Sequence, residues 1–227
     1  MGFCIDSIVP WGRTFDEYVA MFALSEDDLN LHILGCGDGP ASFNASMARR
    51  GGNVVSVDPI YEFDDAQIAS RIDDTYEKVM AQLRANAADY VWTTFSSPEE
   101  VGKTRMAAML DFLGDYEEGR EEGRYIAGSV ESLPFSEGEF DLALSSHFLF
   151  LYSDQLSLEF HEEAVRELLR VAREVRIFPI LTIDGKHSPH LDRVMEHFSL
   201  QGHAVRIAKV GYEFQKGGNE MLVVKRV

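Results

Sequence analysis

The feature that most constrains this chain is a glycine-rich turn set between an apolar run and a helical stretch. Leu31-His32-Ile33-Leu34 leads into Gly35-Cys36-Gly37-Asp38-Gly39-Pro40, and residues 41–50 then read as a helix that stops at Gly51-Gly52. A second β-branched run, Asn53-Val54-Val55-Ser56-Val57, follows and ends on Asp58 and Pro59. Strand, glycine turn, helix and strand make one βαβ unit, and a parallel pair of this kind is joined by a right-handed crossover. Glycines at such a turn let the backbone approach a ligand while the amides of the helix start point outward. A carboxylate at the end of the next strand, at Asp58, is where both hydroxyls of a ribose can be held. The combination predicts a nucleoside-containing cofactor.

The rest of the chain extends the same pattern. Thr14 is placed to cap a helix running to Leu24, because apolar residues recur there at helical spacing. Residues 125–128, 140–145 and 175–180 are strand-like, and residues 159–173 form an amphipathic helix between the last two. Residues 204–210 and 220–225 are strand runs separated by a turn-rich segment with Gly217-Gly218-Asn219, which favours an antiparallel hairpin over another crossover. The expected fold is a three-layer α/β/α sandwich, Rossmann-like, with a mostly parallel seven-stranded sheet and a C-terminal antiparallel hairpin.

Between Asp58 and Tyr125 the chain is longer than a crossover requires, with helical patterns at 66–89 and 98–115. We read residues 61–124 as a helical cap inserted in a single domain spanning 1–227, since cores split only above about 250 residues. Tyr61, Tyr76, Trp92 and Phe95 are candidates to wall a pocket beneath it.

Charge narrows the partners. With 38 acidic against 21 basic side chains the net charge is −17, which repels a phosphate backbone or an anionic membrane. Nucleic acid and membrane are therefore disfavoured. No run reaches the ~18 apolar residues of a membrane span, and the amino terminus carries no basic-then-apolar secretion signal. Two cysteines, Cys4 and Cys36, cannot build a disulfide framework, and a bridge at Cys36 would obstruct the glycine loop. A reducing cytoplasm is the expected location. His187, His190 and His197 do not make a metal site, since Pro189 interrupts any helical face and no carboxylate or thiol completes the shell.

A dinucleotide site would place a small residue at position 40 for close helix packing, and Pro40 stands there. The alternative that fits is donor-specific. Leu31 to Gly39 resembles the first motif of class I S-adenosylmethionine (SAM)-dependent methyltransferases, and Val54 to Asp58 resembles their ribose-binding strand. Residues 128–147, from Gly128-Ser129-Val130 to Ser145-Ser146-His147, are similar to the family's adenine-side motif and central fourth strand. The resemblance implies SAM as cofactor and a small-molecule acceptor. It also implies that Gly35, Cys36, Gly37 and Gly39 line the methionine part of SAM, that Asp58 with Pro59 meets the ribose, and that Ser129 and Val130 flank adenine. Ser146 would then lie beside the sulfonium, with His147 as the candidate general base. Where the family often carries a carboxylate, this chain has Ile33 and Ser129. Candidates to hold the methionine end instead are Asp38 and the segment Pro10-Trp11-Gly12-Arg13, whose guanidinium can pair with the donor's carboxylate, a surface ion pair being the alternative for Arg13. A domain that binds SAM or its product without turnover, and a nicotinamide-dependent oxidoreductase, are the rival readings.

Overall fold

The computed structural model describes residues 9–227, so Cys4 lies outside the described residues. Helix α1 (Phe15–Met21) precedes strand β1 (His32–Cys36), helix α2 (Phe43–Arg49) and strand β2 (Asn53–Val57). Two long helices follow, α3 (Asp65–Ala85) and α4 (Pro98–Glu121), before strand β3 (Tyr125–Ile126) and strand β4 (Phe140–Ser146). Helix α5 (Leu158–Val171) passes without a loop into strand β5 (Ala172–Phe178), earlier than the hydrophobic pattern predicts. Helix α6 (Leu191–Leu200) and strands β6 (Ala204–Lys209) and β7 (Glu220–Lys225) complete the chain.

The seven strands form one sheet in the order β3-β2-β1-β4-β5-β7-β6. β1 to β5 pair in parallel, and β7 inserts antiparallel between β5 and β6. The expected architecture, terminal hairpin included, is present. The order in which strands are added reverses between the parallel neighbours β1 and β4, the point where open α/β sheets leave a crevice at the carboxyl ends of their strands.

Period-two alternation explains why both faces are buried. Ile33 faces a cluster with Phe22, Phe43, Leu142 and Leu144, while its neighbour Leu34 faces Ala143, Val165, Leu168 and Val175 on the other side. Burying each such side chain is worth ~1.5–3 kcal/mol. Ile33 is therefore a core residue, turned away from the strand ends.

Helix starts follow the local chemistry. Thr14 caps α1 in a reciprocal box with Glu17, Asp64 caps α3 with Gln67, and Ser97 precedes Pro98 at the first turn of α4. The α3–α4 segment joins β2 to β3. α4 packs on the sheet side through Met109, Phe112 and Tyr116 against Tyr61 and Tyr125, and Arg49 of α2 pairs with Asp111 at 2.7 Å. The phenol of Tyr116 donates to the carbonyls of Tyr61 (3.0 Å) and Phe63 (2.9 Å), tying the chain after β2 to α4. α6 has no counterpart in the sequence reading, although Leu191, Val194 and Phe198 repeat at helical spacing on its buried face. Among the described residues no helix is long and apolar enough to cross a membrane.

Candidate functional site

The turn after β1 is built by glycines for different reasons. Gly37 has φ of 72° and Gly39 φ of 53°, in the left-handed region that side chains rarely adopt. The Phe148 ring also lies 2.8 Å from where a Gly37 β-carbon would stand. At Gly35 the constraint is space, because the Asp38 carboxylate occupies the position a β-carbon would take. Gly35 does not line the cavity described below; Asp38 does.

Asp38 accepts hydrogen bonds from the phenol of Tyr18 (2.8 Å) and from Ser56 Oγ (2.8 Å). Burial nonetheless pushes its carboxyl up to about 6, helped by the Asp58 charge, while the two hydrogen bonds oppose the rise. Asp58, at the end of β2, accepts from the amides of Gly39 (2.9 Å) and Ile60 (2.8 Å), one on each oxygen. Burial raises its pKa and those two amides hold it back. Since a carboxylate has about four acceptor positions, each oxygen keeps capacity for another donor. Pro59 opens the single turn Pro59–Glu62, and the phenol of Tyr61 donates to the Gly39 carbonyl at 2.7 Å, so the loop is braced from β2.

At the end of β4, Ser146 Oγ lies 3.0 Å from His147 Nδ1. His147 has φ of 52°, and its amide donates to the Phe178 carbonyl at 2.7 Å, which holds this uncommon conformation in place. Burial, with the charges of Arg13 and Arg105 adding to it, pushes the imidazole well below its ordinary pKa, so it is neutral at pH 7. Ser129 Oγ donates to Glu131 at 3.1 Å, and Val130 is buried in the core.

These elements converge on one cavity of about 850 Å³ at the carboxyl ends of β1, β2 and β4. Cys36, Gly37, Gly39, Asp58, Pro59, Ser129, Val130, Ser146 and His147 all line it. The volume sits in the upper part of the ~300–1,000 Å³ range of small-molecule sites. Its aromatic walls are not the expected ones. Trp11, Tyr90, Tyr152, Phe178, Tyr212 and Phe214 line it, whereas Tyr61 is packed in the α4 cluster and Tyr76, Trp92 and Phe95 belong to the cluster around Met80 and Leu83. α3 contributes Gln67, Ile68, Arg71, Val79 and Leu83. Most of the actual wall residues come from segments distant in sequence, and no local pattern marks them.

Beside the cavity lies a buried ionic cluster that the sequence does not announce. Arg105 of α4 is fully buried and ion-pairs with Glu17 of α1, and the phenol of Tyr212 donates to the other Glu17 oxygen at 2.8 Å. Although burial works to raise it, the Arg105 charge brings the Glu17 carboxyl down to about 2. The histidines set aside at the sequence level lie apart: His190 Nε2 faces the Ser153 carbonyl, His187 lies near Glu220 and His197 near Glu162.

A family profile described as a methyltransferase domain matches residues 96–175, the stretch from α4 through β4 to β5. The uncharacterized protein MJ0045 of Methanocaldococcus jannaschii is 37% identical over 216 residues, covering 95% of this chain and 95% of its own. Among solved structures, the PH0226 protein of Pyrococcus horikoshii OT3 superposes with a TM-score of 0.50 at 10% identity, covering 94% of this chain and 91% of its own. The magnesium protoporphyrin IX methyltransferase of Synechocystis PCC 6803, solved with bound SAM, gives a TM-score of 0.48 at 14% identity, over 93% of this chain and 78% of its own.

Proposed function

Because the chain belongs to the class I SAM-dependent methyltransferase family, whose cofactor is SAM, we propose that it is a working enzyme that methylates a small-molecule acceptor in the cavity between the glycine turn and His147. The observation that carries this reading is the convergence of Gly37, Gly39, Asp58, Ser146 and His147 on one cavity where the strand order reverses.

The residues fit the donor. Gly37 and Gly39 leave the backbone open beside Cys36, the Asp58 oxygens keep acceptor capacity for two ribose hydroxyls, and Ser129 with Val130 borders the adenine end. Asp38, on the cavity wall, takes the part of the carboxylate missing at the buried Ile33 and receives the donor's amino group. Gly35 acts at one remove, by making room for Asp38.

When bound, SAM supplies a methyl group on a sulfonium, to which the acceptor's lone pair bonds as the carbon–sulfur bond breaks, its electrons returning to sulfur and the acceptor's proton leaving to a base. The protein's contribution is alignment, exclusion of water and proton removal. Ser146 and His147 stand at the β4 end, and His147, neutral at pH 7 and oriented through Ser146, receives the proton. The helices within residues 61–124 act as a cap, since α3 supplies the apolar side of the cavity that shapes selection of the acceptor. A charge of −17 supports a small-molecule partner over nucleic acid, and the free thiol of Cys36 supports a reducing cytoplasm.

The test is formation of S-adenosylhomocysteine (SAH) from SAM by the purified protein over a panel of small acceptors, followed by mass spectrometry. Acceptor-dependent SAH formation, abolished in Asp58→Ala, is the expected result. Donor binding without turnover on any acceptor would favour a SAM-sensing role.

A further inference from the structure

The cavity runs along α3, and its two ends differ in chemistry. Gln67, Ile68 and Arg71 line it from the first two turns of the helix, Val79 and Leu83 from the last two. At a rise of about 1.5 Å per residue, Ile68 and Leu83 stand ~22 Å apart along the axis. Midway, Trp11 takes over the wall, its ring 5.7 Å from that of Tyr76. The near end belongs to the donor, because the chain passes from Asp58 through the turn Pro59–Glu62 into α3.

The far end is a roofed apolar chamber. Leu83 and Val101 share one cluster with Tyr90 and Phe214, and all four line the cavity. Backbone hydrogen bonds join the connection before α4 to the segment before β7: the Val91 amide donates to the Phe214 carbonyl at 2.7 Å, and the Lys216 amide to the Asp89 carbonyl at 3.0 Å. The Tyr90 and Phe214 rings stack at 4.6 Å along that seam. Two polar groups of the chamber are engaged within the protein, the Gln215 amide donating to the Ile183 carbonyl at 3.0 Å and the Tyr212 phenol to Glu17 at 2.8 Å. Ring contacts lead from the chamber to the β4 end, since Tyr212 lies 5.9 Å from Phe178 and Phe178 lies 5.5 Å from His147. His147 therefore stands between the donor end and the chamber.

Charge divides the two ends. The acidic residues of the wall, Asp38, Asp58 and Glu62, belong to the glycine turn, the β2 end and the turn after it, and Arg71 to the start of α3. The backbone of Arg13 is anchored beside the glycine turn, its carbonyl accepting from the Ser42 amide at 3.0 Å while Gly12 lies against the Pro40 carbonyl. The second half of α3, the connection to α4 and the run before β7 contribute no Asp, Glu, Lys or Arg to the lining among the described residues. An ion placed there would lose its hydration without gaining a partner, whereas a ring would meet the faces and edges of other rings. Carboxylic acids and alkyl amines are ionised at pH 7, which leaves an uncharged proton-bearing nucleophile, of which a hydroxyl is the simplest.

We propose that the acceptor is an uncharged hydroxy compound with an apolar, aromatic body, the body held between Leu83, Tyr90 and Phe214 and the hydroxyl presented at His147. The assignment rests on the methyltransferase reading and names its acceptor class. On transfer the hydroxyl oxygen bonds the methyl carbon, the carbon–sulfur bond breaks with its electrons returning to sulfur, and the hydroxyl proton passes to His147.

The experiment measures binding to the SAH-saturated protein of probes that share a body and differ in charge: para-propylphenol against para-propylbenzoate and para-propylbenzylamine, and β-naphthol against β-naphthoate. Ligand-observed NMR reads the affinities for wild type and for two variants that fill the chamber, Val79→Phe from α3 and Ile183→Trp from a loop, with circular dichroism to confirm folding. The phenols are expected to bind wild type at least tenfold better than their charged counterparts. Each filling variant is expected to weaken the phenols at least tenfold while SAH affinity stays within threefold. Equal or tighter binding of the acid or the amine, or no binding of either phenol, overturns the proposal. It is also overturned if both folded filling variants bind the phenols as wild type does, because the site would then lie elsewhere. Failure of wild type to bind SAH at all would instead remove the underlying methyltransferase reading.

Discussion

The carboxylate of Asp38 folds back over Gly35, filling the space where any other residue at position 35 would carry its β-carbon. This couples a glycine that does not touch the cavity to a carboxylate that does. Gly35→Ala should therefore destabilise the protein and weaken donor binding in a way that depends on Asp38. In a double-mutant cycle read by urea unfolding, Gly35→Ala is predicted to cost about 1–3 kcal/mol alone and clearly less in an Asp38→Ala background. Additive costs would show that the two positions act independently.

Asp38 also predicts a pH dependence. Its folded-state pKa is raised to about 6, above the ordinary carboxylate value, so the ionised form is disfavoured by folding and the carboxyl takes up a proton as pH falls through 6. If the ionised form holds the donor's amino group, SAH affinity drops as pH is lowered through about 6, approaching tenfold per pH unit below it. Asp38→Asn should bind more weakly at pH 8 and lose this dependence. Titration calorimetry between pH 5 and 8 decides the matter, and a flat profile in wild type would remove Asp38 from the site.

His147 should behave differently. Its pKa lies well below the ordinary histidine value, so it stays neutral from pH 8 down past 6.5 and no rate limb near 6.5 belongs to it. Once an acceptor is known, His147→Gln is predicted to lower kcat about 100-fold or more. An unchanged kcat would reduce His147 to a structural residue of the β4 end.

Breaking the buried pair of Arg105 and Glu17 should cost stability. Removing the cation in Arg105→Met leaves Glu17 buried without its ion-pair partner, at a predicted cost of about 3–5 kcal/mol in urea unfolding at pH 7. The sign with pH is fixed by the shift: the Glu17 pKa is depressed to about 2, so its contribution is fully present above its ordinary value and is lost as pH falls toward 2. In the variant the remaining burial disfavours the charged carboxylate, so its deficit relative to wild type should narrow as the pH is lowered. A deficit below 1 kcal/mol would mean that the cluster contributes little.

What was legible in the sequence was what is local. The β1 turn, Asp58 at the end of β2 and the β4 run through His147 are each encoded within a few residues by glycine, β-branched periodicity and a terminal polar group. The positioning of Ser129, Ser146 and His147 around one cavity followed, because parallel strands deliver their carboxyl ends to the same edge. The ionic cluster was not legible, since Arg105 lies 88 residues from Glu17 and 107 from Tyr212 and no period links them. Nor was the separation of roles at Gly35 and Gly39, which differ only in what surrounds them. Nor was α6, because Pro189 between His187 and His190 is a local helix breaker, whereas the helix begins just after it at Leu191.

The central claim is that this cavity holds SAM through Asp58. Calorimetric titration of wild type and Asp58→Ala with SAM, SAH and NAD tests it directly. The account predicts saturable binding of SAM and SAH to wild type, no binding of NAD, and loss of donor binding in an Asp58→Ala protein that remains folded. A folded wild-type protein that binds neither SAM nor SAH would contradict it.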